Sequence, residues 1–229
     1  AKAIREGVGL IDATAFTKHM VKGPGAAQFL DWFTCNKLPK TGRINLTYAL
    51  TSAGTTRTEY TIVRLAEDAF YLVSAGAWTD YDGDFLRKSA ADKAPEFGYV
   101  EVQDVTTQWG VFAIAGPKSR DVLKAVIKDS DPETALSNKR FPWLSARQIE
   151  LGMCPVNAIR VAYTGELGWE LHHPIEMQNY LFDLLEAAGA AHGMKLVGAR
   201  AQNWLRLEKS YRAFGNELGR DATPLEADL

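Results

Sequence analysis

The stretch 59–75 constrains this chain more than any other. EYTIVRL (59–65) and AFYLVSA (69–75) are rich in β-branched and aromatic residues, and only Ala66-Glu67-Asp68 lies between them. Two strand-like runs joined by three residues read as a β-hairpin. Helical patterns surround it. Pro24 can open a helix in which Ala26, Phe29, Leu30 and Phe33 follow at helical spacing. Residues 79–93 read as a helix whose start is favoured by Asp80, Asp82 and Asp84. Gly110–Ala115 reads as a strand running through Gly116-Pro117 into a helix over 117–127, and 156–163 and 168–172 read as two more strands around a glycine turn. Pro174 then opens a helix with Met177, Tyr180, Leu181, Leu184, Leu185 and Ala188 on one apolar face, and 198–210 forms another. Hairpins interspersed with helices, without strict βαβα alternation, imply an α+β fold with mainly antiparallel sheets.

The chain has 229 residues, which suits one large domain or two small interleaved ones. Hydrophobic residues make up 46% and charged residues 24%, enough to fold rather than stay disordered. A net charge of -2 lacks the basic excess of a nucleic-acid binder. No apolar run approaches the ~18 residues of a membrane span, and the opening AKAIREGVG is not a signal peptide. Cys35 and Cys154 make neither a disulfide framework nor a zinc site, and reduced thiols in a cytoplasm-like compartment are expected. His19, His172, His173 and His192 show no metal spacing, so no metal is expected. The start at Ala1 without Met and the stop at Leu229 suggest a piece of a longer protein.

Several motifs fail on context. Gly23-Pro24-Gly25 has no third glycine, and Pro24 offers no N–H to a phosphate, so it reads as a helix-entry turn. His172-His173 lies before Pro174 and reads as an exposed or core-edge pair. Arg147, Lys195, Arg200, Arg206, Lys209, Arg212 and Arg220 enrich the last third in cations, either a solvated helix face or a patch for an anionic small molecule.

The segment Tyr163-Thr164-Gly165-Glu166-Leu167-Gly168-Trp169-Glu170-Leu171 is the most informative. On strand 168–172 the side chains alternate, so Trp169 and Leu171 point one way and Glu170 and His172 the other. A carboxylate opposite a tryptophan faces either solvent or a polar pocket.

This segment resembles the YTGExGYE signature of the aminomethyltransferase (glycine-cleavage T-protein) family. Arg5-Glu6-Gly7-Val8-Gly9-Leu10-Ile11-Asp12, Gly23-Pro24, Gly116-Pro117-Lys118-Ser119, Leu205-Arg206-Leu207-Glu208-Lys209 with Tyr211-Arg212, and Thr223-Pro224 with Ala227 match further family motifs in order. GELGWELH, FPWL and LRLEKSYR resemble the folate domain fused to dimethylglycine and sarcosine dehydrogenases more than the free T-protein. The resemblance implies a folate-binding α+β fold of two intertwined subdomains over 1–229. It also implies that the family's N-terminal start and C-terminal barrel domain lie outside this chain.

The resemblance carries roles with it. A pterin presents an amino group and a ring N–H along one edge, and one carboxylate can accept both. In the family the second Glu of the signature does this, here Glu170, with Tyr163 close to the ligand. Glu166 reads as structural. Arg206 and Arg212 are candidates either for the glutamate tail of folate or for ion pairs with Glu208 or Glu217. The family's GGIxxDLTV run corresponds to Gly54-Thr55-Thr56-Arg57-Thr58-Glu59-Tyr60-Thr61-Ile62, so Glu59 stands where the catalytic Asp is expected and Thr55 where the second Gly is. Gln202 replaces an Arg of free T-proteins. The implied activity is tetrahydrofolate-dependent one-carbon transfer from an N-methylated amine such as dimethylglycine or sarcosine, giving methylenetetrahydrofolate. The alternatives are a demethylase of another donor, such as a sulfonium compound, or a non-catalytic folate-binding module. FAD and a flavin dehydrogenase domain are implied only if such a domain lies upstream. The implied compartment is the cytoplasm, or the mitochondrial matrix in a eukaryote.

Overall fold

A computed structural model describes residues 1–229. In chain order the elements are α1 (Lys2–Glu6), β1 (Gly9–Asp12), β2 (Thr17–Lys22), α2 (Ala26–Phe33), β3 (Ile44–Leu50), β4 (Thr56–Ala66), β5 (Ala69–Ser74), α3 (Thr79–Phe97), β6 (Glu101–Asp104), β7 (Trp109–Ala115), α4 (Ser119–Lys124), α5 (Pro132–Ala135), β8 (Ala146–Leu151), β9 (Cys154–Ile159), β10 (Gly168–Pro174), α6 (Gln178–Ala190), β11 (Lys195–Leu196) and α7 (Ala199–Glu208). They divide into two compact units. Unit A comprises Ala1–Thr14 and Thr107–Tyr211, and unit B comprises Ala15–Thr106 and Arg212–Leu229. Each unit interrupts the other in sequence, and both are α+β with mainly antiparallel sheets.

Unit B is built on a five-stranded sheet of order β3-β4-β5-β2-β6, antiparallel throughout. The hairpin expected at 59–75 is β4–β5, with Thr61 opposite Val73 and Ile62 opposite Leu72. Tyr60 and Ile62 of β4 enter one core with Phe29, Leu30 and Phe33 of α2 and Leu86 and Ala90 of α3. The apolar spacing read for α2 is therefore its buried face. Gly23-Pro24-Gly25 is a helix-entry turn, with Gly25 capping α2.

Unit A is built on a six-stranded sheet of order β11-β1-β7-β10-β9-β8, in which only the β1–β11 pair is parallel. One face carries Leu10, Phe112, Ile114, Trp169 and Leu171 against Val122 and Leu123 of α4 and Leu181 and Leu185 of α6. On the other face Ile11, Ala113 and Ala115 meet Ile4 of α1 and Leu205 of α7.

Several boundaries differ from the sequence reading. Pro174 closes β10, paired with Trp109, and a 3₁₀ turn over Ile175–Met177 precedes α6. A proline lacking an N–H ends a strand as readily as it opens a helix. The helix expected over 117–127 is only Ser119–Lys124. The strand expected over 156–163 ends at Ile159, because Arg160 exchanges backbone bonds with Leu144 and Ser145 outside the named strands. His172 and His173 are not an exposed or edge pair, since both are fully buried within β10. Strand β2 was not anticipated. Its TKHMVK sequence looks polar, yet Lys18 and His19 are buried.

Candidate functional site

Glu59 sits within β4 opposite Tyr48 of β3. Strand alternation turns its neighbours Thr58 and Tyr60, both buried, to the other face. The Glu59 Oε2 atom is buried and has no hydrogen-bond partner. Burial alone pushes its carboxyl from 4.5 up to about 7, since nothing compensates the desolvation of the charged form. A carboxyl balanced near neutrality can accept a proton and can release it again.

The turn that leads into β4 accounts for the Thr55 departure. Gly54 has φ 80, the left-handed region that favours glycine, whereas Thr55 is not among the residues with positive φ. The Thr55 hydroxyl instead pairs with that of Thr51 at 2.7 Å, and Thr51 N–H donates to the Thr55 carbonyl. Across the same turn Thr56 N–H donates to the Ala222 carbonyl, so the C-terminal segment of unit B braces the strand that carries Glu59.

In unit A the signature segment is a locked turn. Gly165 has φ 71, and a Cβ there would stand 2.3 Å from Lys209 Cγ. Arg5 pairs with both Glu166 and Glu208, joining α1, the turn and the end of α7. Glu166 is thus structural, as read from the sequence. Gly168 opens β10 where a Cβ would lie 2.7 Å from the Ile114 carbonyl oxygen, so the strand can enter the sheet at this register.

Two residues on, Glu170 lies opposite Ala113 and Ile159. Its side chain is 14% exposed, and Oε2 lies 3.3 Å from Nε2 of the fully buried His172. The i, i+2 spacing within one strand places both on one face. The shared face of Glu170 and His172 follows from the alternation read in the sequence, whereas the full burial of His172 does not. His173, on the opposite face, bonds the Leu171 carbonyl and Gln178, and burial lowers its pKa.

Tyr163 stands beside Tyr211, with ring centroids 6.1 Å apart and planes at 22°. Arg206 is 2% exposed, and its guanidinium donates from Nε to Asn203 at 2.9 Å and from Nη1 to the Tyr211 carbonyl at 2.8 Å. It braces the chain that follows α7, and the sequence spacing gave no hint of this. Tyr163, Glu170 and Arg206 therefore belong to unit A, whereas Glu59 belongs to unit B.

A cavity of about 450 Å³ in unit A is lined by Leu10, Asp12, Phe112, Gln178, Phe182 and Val197. Leu10 and Phe112 belong to the Trp169 face, opposite Glu170. No group of three or more His, Cys, Asp or Glu side chains is arranged to hold a metal. No helix is long and apolar enough to cross a membrane. Cys35 and Cys154 are free thiols, and burial raises that of Cys154 to about 11.

Residues 1–229 match the GCVT N-terminal domain along their whole length. The chain belongs to the GCVT N-terminal domain family. Other members show how the domain is deployed. The chain is 36% identical to mouse mitochondrial dimethylglycine dehydrogenase over 229 residues, all of this chain and 25% of that protein. It is 32% identical over 230 residues to the aminomethyltransferase of Chlorobium chlorochromatii, covering 60% of that protein. The crystal structure of glycine cleavage system aminomethyltransferase T from Bartonella henselae superposes with a TM-score of 0.81 and 26% identity, over 97% of this chain and 56% of that one. The GCVT domain thus spans about a quarter of the dehydrogenase and about three fifths of the aminomethyltransferase it matches.

Proposed function

We propose that this GCVT domain binds tetrahydrofolate and takes up the one-carbon unit of an N-methylated amine of the dimethylglycine or sarcosine kind, once a flavin dehydrogenase partner has oxidised the N-methyl group to the iminium, giving methylenetetrahydrofolate. The observation that carries the reading is the half-buried Glu59, whose Oε2 is buried without a partner and whose carboxyl burial raises to about 7. A carboxylate oxygen buried without a donor is a poor structural element and a suitable proton acceptor at neutral pH.

The remaining residues fit the ligand. Glu170 is oriented by His172 on one oxygen and retains acceptor capacity for two adjacent N–H groups of a pterin edge. Tyr163 offers an aromatic wall in the same unit. The buried Arg206 holds the turn after α7, and Arg212 is the more open cation for an anionic tail. When bound, tetrahydrofolate supplies the nitrogens that take up the one-carbon unit. In this reading the proton-accepting role falls to Glu59 of unit B, and the binding and orienting roles to Glu170 and Tyr163 of unit A. FAD, a flavin dehydrogenase partner and a mitochondrial location belong to this reading by likeness to the mitochondrial dehydrogenases, and residues 1–229 are its folate-binding unit.

The test is Glu59→Gln. The amide keeps the shape and cannot accept the proton, so kcat for transfer should fall about 100-fold or more while tetrahydrofolate affinity stays unchanged. A Glu59→Gln protein that transfers formaldehyde equivalents at the wild-type rate removes Glu59 from the chemistry.

A further inference from the structure

Tyr211 is 41% exposed, yet the chain around it is held more firmly than a surface tyrosine requires. Its N–H donates to the Arg206 carbonyl at 3.0 Å, and the buried Arg206 guanidinium donates back to the Tyr211 carbonyl. The preceding Ser210 has φ 55, a left-handed conformation that a residue with a Cβ adopts at a cost of about 1 kcal/mol or more. Lys209, one residue earlier, packs into the space left by the missing side chain of Gly165. Burying an arginine and straining a serine are both unfavourable steps, and a ring that only covered Tyr163 would need neither. Together they hold the Tyr211 backbone, and its ring lies nearly parallel to that of Tyr163 in the signature segment. Such strained positions cluster at ligand sites.

We propose that Tyr211 is a second aromatic wall of the folate site, receiving one face of a flat ring of the ligand beside Tyr163. The inference rests on the folate reading above. Pterin and p-aminobenzoyl rings share the required chemistry, a flat π-face that stacks on a phenol and tolerates variation at its edge.

The experiment titrates tetrahydrofolate, up to millimolar concentrations, into the wild-type chain and into Tyr211→Leu, Tyr211→Phe and Leu207→Ala. Leu207 is a comparably exposed apolar residue of α7 and serves as the control. Tyr211→Leu should weaken binding about tenfold, the scale of one lost stacking partner. Tyr211→Phe and Leu207→Ala should bind as the wild type does. Pterin-6-carboxylate and p-aminobenzoylglutamate, titrated separately, show which ring is held by which of them loses affinity in Tyr211→Leu. Should the leucine variant fail to fold, wild-type chain carrying ring-¹³C tyrosine gives a direct readout. Its Tyr211 signals, assigned with Tyr211→Phe, should shift on addition of ligand. Unshifted Tyr211 signals, or equal affinity in wild type and Tyr211→Leu, overturn the proposal while leaving the folate reading intact. A wild-type chain that binds no folate overturns both.

Discussion

Replacing Glu59 by Gln should make the protein more stable, and increasingly so as the pH rises. In the unfolded chain the carboxyl titrates near 4.5, and in the folded chain burial moves it to about 7. Below pH 4.5 both states hold the proton and the folded state bears no penalty. Between the two values the unfolded chain is ionised while the folded chain still holds its proton. Folding there must take a proton up, and stability falls by about 1.4 kcal/mol per pH unit. Above about 7 the loss is complete, at about 3 kcal/mol. Gln fills the same space without titrating, and Oε2 has no hydrogen bond to lose. The difference between variant and wild type should therefore be near zero at pH 4.5 and approach about 3 kcal/mol at pH 8. For a chain of this length that corresponds to about 5–10 °C in melting temperature. Urea unfolding of both proteins at matched pH values from 4.5 to 8 measures it, and taking the difference cancels every titration they share. A difference that stays flat with pH, or that favours the wild type at high pH, refutes the buried-carboxyl account of Glu59.

Two further substitutions probe unit A. Glu170→Ala should weaken tetrahydrofolate binding by about 1.5–3 kcal/mol, the scale of a charged hydrogen-bonding partner, and isothermal titration showing wild-type affinity would end the pterin-edge assignment. Gly165→Ala should destabilise the protein by about 1–3 kcal/mol through its φ of 71 and the clash with Lys209, which a thermal melt reads directly, and an unchanged melting temperature would show that the signature turn yields easily.

The elements legible in the sequence are those whose pattern answers to one nearby core. The β4–β5 hairpin, α2 and α6 each bury a stripe set by their own periodicity, so the residue spacing is enough to find them. Strand β2 escapes because Lys18 and His19 are polar residues buried by their surroundings, and no local pattern announces that. The terminal strand β11, two residues long, is equally silent, since it exists only as the parallel partner of β1. For the site, the alternation that sets Glu170 against Trp169 is local and could be read, and so is its sharing of a face with His172. The state of Glu59 was not legible, because a half-buried strand position does not reveal that one carboxylate oxygen is buried without a donor. The setting of Arg206 was hidden as well. A cation in a cation-rich segment reads either as part of a solvated helix face or as a ligand for an anion, and only the fold shows its guanidinium bonded to Asn203 and the Tyr211 carbonyl.

The places where the chain departs from what stability alone favours point in one direction. Thr55, a departure from the family pattern, costs nothing visible, because only Gly54 needs the left-handed conformation and the Thr55 hydroxyl finds a partner in Thr51. Glu59 and Ser210 are different. One carries a buried oxygen without a donor and the other a left-handed backbone that its residue type disfavours. Local rules agree with the fold along α2, α6 and the hairpin and conflict with it at these two positions. In a chain that is otherwise consistent across levels, such conflicts are expected where a ligand rather than the fold sets the residue. Glu59 and the Ser210–Tyr211 turn are accordingly the positions at which substitutions should separate function from stability. Changing them should leave folding intact or improved while ligand binding or transfer is lost, whereas changing Gly165 or Arg206 should damage both together.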